Sequence, residues 1–119
     1  MTIYALSSGP GMSGVAIIRV SGNEANLVVK LLTGQDLPDP RIATLRKINN
    51  INTSELIDEG IILWFPAPHS YTGEDMAEFH VHGSRAVINA VHSSISQIKN
   101  CHLAQPGEFT KLAFQNGKI

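Results

Sequence analysis

One cysteine, Cys101, is the whole thiol complement of the 119 residues, so no internal disulfide staples this chain. That usage fits a reducing compartment, and the expectation is a cytoplasmic protein. No apolar run approaches the roughly 20 residues that cross a bilayer. The opening MTIYALSSGPGMSG lacks the basic start and long apolar stretch of a secretory signal. Neither sign of charge dominates: nine Lys and Arg face ten Asp and Glu, a formal charge of −1. A strongly basic field of the kind that holds nucleic acid is therefore absent from the composition. Internal repeats, low-complexity tracts and linkers are absent too. At 43% hydrophobic, the chain suits one globular domain with a modest core.

What is present alternates between extended and helical patterns. Ile3–Leu6 is a short strand candidate, and SSGPGMSG at 7–14 reads as a turn or loop. The β-branched run VAIIRVS predicts a strand. Ser21-Gly22-Asn23-Glu24 has the S-x-x-E form of a capping box. It precedes a helix over about 23–33, with Leu27, Val28, Leu31 and Leu32 as its apolar stripe and Gly34 as its stop. LPDP at 37–40 reads as a loop. Strands are expected over Ala43–Ile48 and through LIDEGIILWFP, which Pro66 and Pro68 end. HSYTG reads as a turn and EDMAEFHVH as a strand. In that strand Asp75, Ala77, Phe79 and Val81 point one way. Glu74, Met76, Glu78, His80 and His82 point the other. A second helix is predicted over about 84–98, with Val87, Ile88, Val91, Ile95 and Ile98 as its stripe. Leu103-Ala104 is a short extended piece. EFTKLAFQN begins a third helix, with Phe109, Leu112 and Ala113 on one side. Interleaved elements with short connections predict an α+β domain with a mixed sheet.

Several chemistries fit parts of this pattern. His80 and His82, at i and i+2 on a strand, share a face with Glu78 and could meet one metal ion, although four ligands for structural zinc or three for catalytic zinc are not spelled out. SSGPGMSG is glycine-rich, but it lacks G-x-x-x-x-G-K-[ST] and runs into a strand rather than a helix. Gly117-Lys118 resembles the tail of that motif, yet Leu112 and Ile119 occupy its first Gly and its Ser/Thr positions, so no nucleotide-binding signature is present. Cys101-His102 could join a nucleophilic arrangement, while G-x-S-x-G is absent. Arg19 inside VAIIRV and Glu78 inside MAEFHV are charges on strands, where long charged residues need partners. They read either as a structural ion pair or as a pocket in which a carboxylate meets the adjacent N–H and NH₂ of a flat heterocycle.

GVAIIRVSG, IDEGIILWFPAPHSYTGEDMAEFHVHG and QPGEFTKLAFQNGK, in that order, resemble the N-terminal domain of the tRNA-modification GTPases of the MnmE (TrmE) family. The resemblance covers nearly the whole chain. It implies an α+β fold with a mixed sheet and about three helices, similar to the folate-binding part of aminomethyltransferases. Residues 1–119 would then be one folate-binding and dimerisation domain, without the family's G domain and helical domain and without GTPase activity of its own. The implied cofactor is 5-formyl-tetrahydrofolate or a related one-carbon folate. GTP, magnesium and potassium belong to the G domain. The implied partners are a second copy of the domain, an MnmG-like flavoprotein and tRNA, whose wobble uridine the complete system modifies.

The family's folate contacts fall on Arg19, Glu78 and Lys118. Glu78 would take the amino and ring N–H edge of the pterin, and Arg19 and Lys118 would suit carbonyl or carboxylate oxygens. Departures from the family pattern are Met12 and Ser13 for Arg-Gly, Ser84 for a glycine and Leu112 for an arginine. A domain that only associates, without a ligand, and a metal-dependent enzyme centred on Glu78, His80 and His82 are the alternatives.

Overall fold

The computed structural model describes residues 1–7 and 14–119. The expected loop at 7–14, with Met12 and Ser13, therefore lies mostly outside the described residues. The elements run β1 (Thr2–Leu6), β2 (Val15–Gly22), α1 (Ala25–Thr33), β3 (Thr44–Asn49), β4 (Leu56–Phe65), β5 (Met76–His82), α2 (Arg85–Ser96), β6 (Cys101–Leu103) and α3 (Glu108–Gln115). The strands form one mixed sheet in the order β3-β4-β5-β2-β1-β6. Among the described strands only β6, which pairs with β1, runs parallel to its neighbour. This is the expected α+β class. β6 begins two residues before the extended piece read at Leu103-Ala104, at the buried Cys101. Among the described residues no helix is long and apolar enough to cross a membrane.

Strand alternation divides the sheet into two unlike faces. Ile18 and Val20 of β2, Ile62 and Trp64 of β4, and Ala77, Phe79 and Val81 of β5 form the core face. α1 adds Val28, Val29 and Leu32 and α2 adds Val91 and Ile95 to the same cluster. Each such aliphatic side chain contributes roughly 1.5–3 kcal/mol when removed from water, against the conformational entropy that ordering costs.

Both helix stripes require comment. α2 buries Val91 and Ile95 as expected, and the Ser84 hydroxyl caps it by accepting from the Val87 N–H at 3.2 Å. α1 is rotated from the predicted stripe: Leu27 and Leu31 are exposed, while Ala25, Val28, Val29 and Leu32 are buried. Its capping box does not form. Ser21 is still inside β2, and its hydroxyl bonds to Thr72 and Glu74 instead. The helix starts at Ala25, where Thr2 Oγ1 of β1 accepts the Glu24 N–H at 2.8 Å. A tertiary hydroxyl thus supplies what the local motif promised. Gly34, in the left-handed conformation, ends α1 as expected.

The opposite face carries Ile17 and Arg19 of β2, Ile61, Leu63 and Phe65 of β4, and Glu78 and His80 of β5. All are partly exposed, on the side away from the core that α1 and α2 cover. The turn 66–75 and the segment after α3 meet at one end of the fold. Tyr71 Oη and Thr110 Oγ1 lie 3.1 Å apart, and Asn116 Nδ2 donates to Thr72 O at 2.7 Å.

Candidate functional site

Register brings the two charged strand residues together. Arg19 stands directly opposite Glu78 in the antiparallel β2–β5 pair. Its Nε donates to Glu78 Oε2 at 3.1 Å. Two positions along β5, His80 Nε2 lies 2.9 Å from Glu78 Oε1. The carboxylate is held from both sides, with its side chain only 14% exposed against 32% for Arg19. An ion pair this open to water contributes about 0.2–1 kcal/mol, so positioning is its larger consequence. Each oxygen keeps a second lone pair for another donor. The Arg19 guanidinium also lies 5.4 Å from the centroid of the Tyr71 ring.

Glu78 opens into a cavity of about 330 Å³ that it shares with Lys118. Met76 and Phe65 join Glu78 at the sheltered end, and Arg41, His69, Tyr71 and Lys118 form the exposed rim. Arg19 adjoins this cavity through Glu78 and Tyr71, and itself borders a second one beside Leu6 and Ala104–Thr110. The three expected site residues are therefore contiguous, but they do not line a single wall. A larger, shallow depression beside Lys30, Gln35 and Arg46 contains none of them.

The turn that carries the rim is fixed by its own polar residues. Ala67 N–H donates to Asp75 Oδ1 at 2.8 Å, Gly73 N–H donates to Ser70 Oγ at 3.0 Å, and Ser70 Oγ donates to Glu74 O. Buried Thr72 meets Ser21 of β2 at 2.7 Å, tying turn to sheet. Lys118 then closes the cavity by donating from Nζ to Pro68 O at 3.1 Å. Gly73, at φ +84°, permits this: a Cβ there would stand 3.2 Å from Asn116 Cβ and 3.4 Å from Lys118 Cγ.

The face shared by Glu78, His80 and His82 divides between two partners. His80 turns to Glu78, whereas His82 presents Nδ1 to Asp58 Oδ1 at 2.8 Å and its backbone N–H to Asp58 Oδ2 at 2.8 Å. Burial alone would raise the Asp58 carboxyl, but hydrogen bonds from His82 and Glu59 outweigh it and hold it below the usual carboxylate range. Among the described residues, no group of three or more His, Cys, Asp and Glu is placed to hold one metal ion. Cys101 is buried, and burial followed by the Glu24 charge pushes its thiol pKa up, which keeps it protonated and a poor nucleophile. Sequence patterning missed Arg41, Phe65 and Tyr71. Arg41 follows the LPDP loop, and the only available signal was an arginine between apolar segments.

The family model described as GTP-binding protein TrmE N-terminus matches residues 2–118. The chain is 77% identical over 119 residues to the tRNA modification GTPase MnmE of Pelagibacter ubique, covering all of this chain and 27% of that protein. It is 51% identical over 118 residues to the mitochondrial 5-taurinomethyluridine-[tRNA] synthase subunit GTPB3 of Danio rerio, covering 99% of this chain and 23% of that one. It is 52% identical over 118 residues to MnmE of Rhodopseudomonas palustris, covering 99% and 26%. The chain thus spans about a quarter of the length of the curated relatives it matches. With the family's model matching residues 2–118, this chain belongs to the TrmE N-terminal domain family.

Proposed function

We propose that this domain binds a reduced one-carbon folate of the 5-formyl-tetrahydrofolate type and pairs with a second copy of itself. The larger protein would be a tRNA-modifying GTPase, working in the cytoplasm with an MnmG-like flavoprotein on the wobble uridine of tRNA. GTP, magnesium and potassium would act in a G domain outside this chain. The names of the relatives, a tRNA modification GTPase and a 5-taurinomethyluridine-[tRNA] synthase subunit, support the tRNA and GTPase parts of this reading.

One observation carries the folate part: the clamped carboxylate of Glu78 at the sheltered end of a cavity that Lys118 also borders. The amino group and ring N–H of a pterin are two parallel donors, and the free lone pairs of Glu78 are two parallel acceptors. Tyr71 and Phe65 offer flat faces beside them. Lys118 supplies a donor for oxygen atoms of the ligand, and Arg19 keeps the carboxylate oriented. Folate supplies a one-carbon unit when bound, while this chain's residues bind and orient it.

The test is thermal unfolding of the domain with and without 5-formyl-tetrahydrofolate. Ligand at 100 times its Kd stabilises the bound state by about 2.7 kcal/mol, a rise of several degrees. No rise at millimolar ligand would sink the folate reading. Sedimentation of the same samples tests pairing: a monomer at high protein concentration, with and without ligand, would refute it.

A further inference from the structure

Arg41 has an unusual backbone and an unusual amount of unused binding capacity. It lies between α1 and β3 at φ +64°, a left-handed conformation that L side chains seldom adopt. Its own N–H donates to Trp64 O at 2.8 Å, fixing the residue against β4. The guanidinium carbon sits 5.3 Å from the centroid of the Phe65 ring, and Nη1 donates to His69 O at 2.8 Å. Four of its five N–H groups have no hydrogen-bond partner among the described residues and remain for another one. Among the described residues no carboxylate lies within ion-pair distance of it.

Lys118 repeats the arrangement on the same rim. Its ammonium is held by Pro68 O and has no acidic partner among the described residues. Two cations are therefore fixed by carbonyls of one turn, at the exposed mouth of a cavity whose sheltered end is the carboxylate of Glu78. This polarity selects a ligand that enters with a donor edge leading and an anionic group trailing. A planar guanidinium matches a carboxylate with two parallel hydrogen bonds.

We propose that Arg41 determines specificity in this cavity by receiving the carboxylate of the ligand's tail while Glu78 holds its donor edge. The proposal rests on the reduced-folate reading, in which the glutamate moiety supplies that carboxylate. Strain at Arg41 is then the means by which the guanidinium is aimed before the ligand arrives.

The experiment compares two ligands on three proteins by calorimetry: 5-formyl-tetrahydrofolate, and 5-formyl-6-methyl-tetrahydropterin, which lacks the tail. The proteins are the unaltered domain, Arg41→Ala and Arg41→Gly. Glycine removes the side chain while relaxing the left-handed backbone, so a folding defect is separable from a binding defect. Both substitutions are expected to weaken the full ligand by roughly 10- to 100-fold, to leave the tail-less ligand within about twofold, and to flatten the salt dependence of the full ligand. Equal losses for both ligands, or no loss for either, would overturn the assignment of Arg41. If the unaltered domain bound neither compound, the folate reading would fail and this proposal with it. Binding of both compounds with unchanged affinity in the variants would overturn the Arg41 proposal alone.

Discussion

Glu78→Gln separates the two roles of this carboxylate. Shape and volume are retained, so the core face formed by Ala77 and Phe79 is undisturbed. The amide oxygen can still accept from Arg19 Nε, now 3.1 Å from Oε2. The amide NH₂ then faces His80 Nε2, which becomes an acceptor by a change of tautomer. The fold therefore loses only a partly exposed ion pair, worth about 0.2–1 kcal/mol. Ligand binding loses more. A pterin edge brings two donors, and the amide answers one and opposes the other. Replacing a charge-assisted bond by an unmet donor costs roughly 2–4 kcal/mol, or about 30- to 1000-fold in Kd. Urea unfolding with parallel calorimetry on 5-formyl-tetrahydrofolate measures both quantities. A variant that binds within threefold of the unaltered domain would refute Glu78 as the anchor. A stability loss above about 2 kcal/mol would instead mark the residue as mainly structural.

Gly60→Ala should be severe, because its Cβ would stand 2.3 Å from the His80 carbonyl oxygen, against ordinary contact from 3.4 Å. Overpacking plus a weakened β4–β5 ladder predicts a loss of about 2–4 kcal/mol by urea unfolding, and a loss below 1 kcal/mol would show that the strands separate easily. Acid should destabilise the fold in two steps. His92, whose Nε2 is buried without a hydrogen-bond partner among the described residues, has its pKa lowered by burial. The unfolded chain therefore takes up its proton first, so stability falls as pH drops below the ordinary imidazole value of about 6.5. Asp58, with its lowered pKa, adds stability above about pH 4 that is lost as pH falls through its folded value. Melting temperature against pH, repeated for His92→Phe, should lose only the upper step, and an unchanged upper step would exclude His92 as its source.

The chain's punctuation made most of this fold legible. Pro66, Gly34 and Ser84 marked ends that the structure keeps, and period-two alternation sorted Ala77, Phe79 and Val81 from Glu78 and His80. Failures arose where a distant partner overrode a local pattern. Ser21 looked like a helix cap because Glu24 follows at the right spacing, but Thr72 and Glu74 claim its hydroxyl. Leu27 and Leu31 looked buried because their spacing suits either of two adjacent helix faces, and docking chose the face with Val29. At the candidate site, alternation placed Glu78 and His80 on one face, while only register could pair Arg19 with Glu78. Arg41 was illegible because its importance comes from a loop conformation and a Phe65 contact that carry no periodicity.

The hold of Lys118 on Pro68, and of Asn116 on Thr72, makes the segment after α3 one wall of the cavity. These contacts span 50 and 44 positions of sequence. Whatever the cavity grips is therefore gripped partly by a strap from the far end of the sequence. By thermodynamic reciprocity, a ligand that tightens the strap binds less well when the strap is pulled away, and by the same factor. A filled cavity and a docked strap therefore hold each other in place.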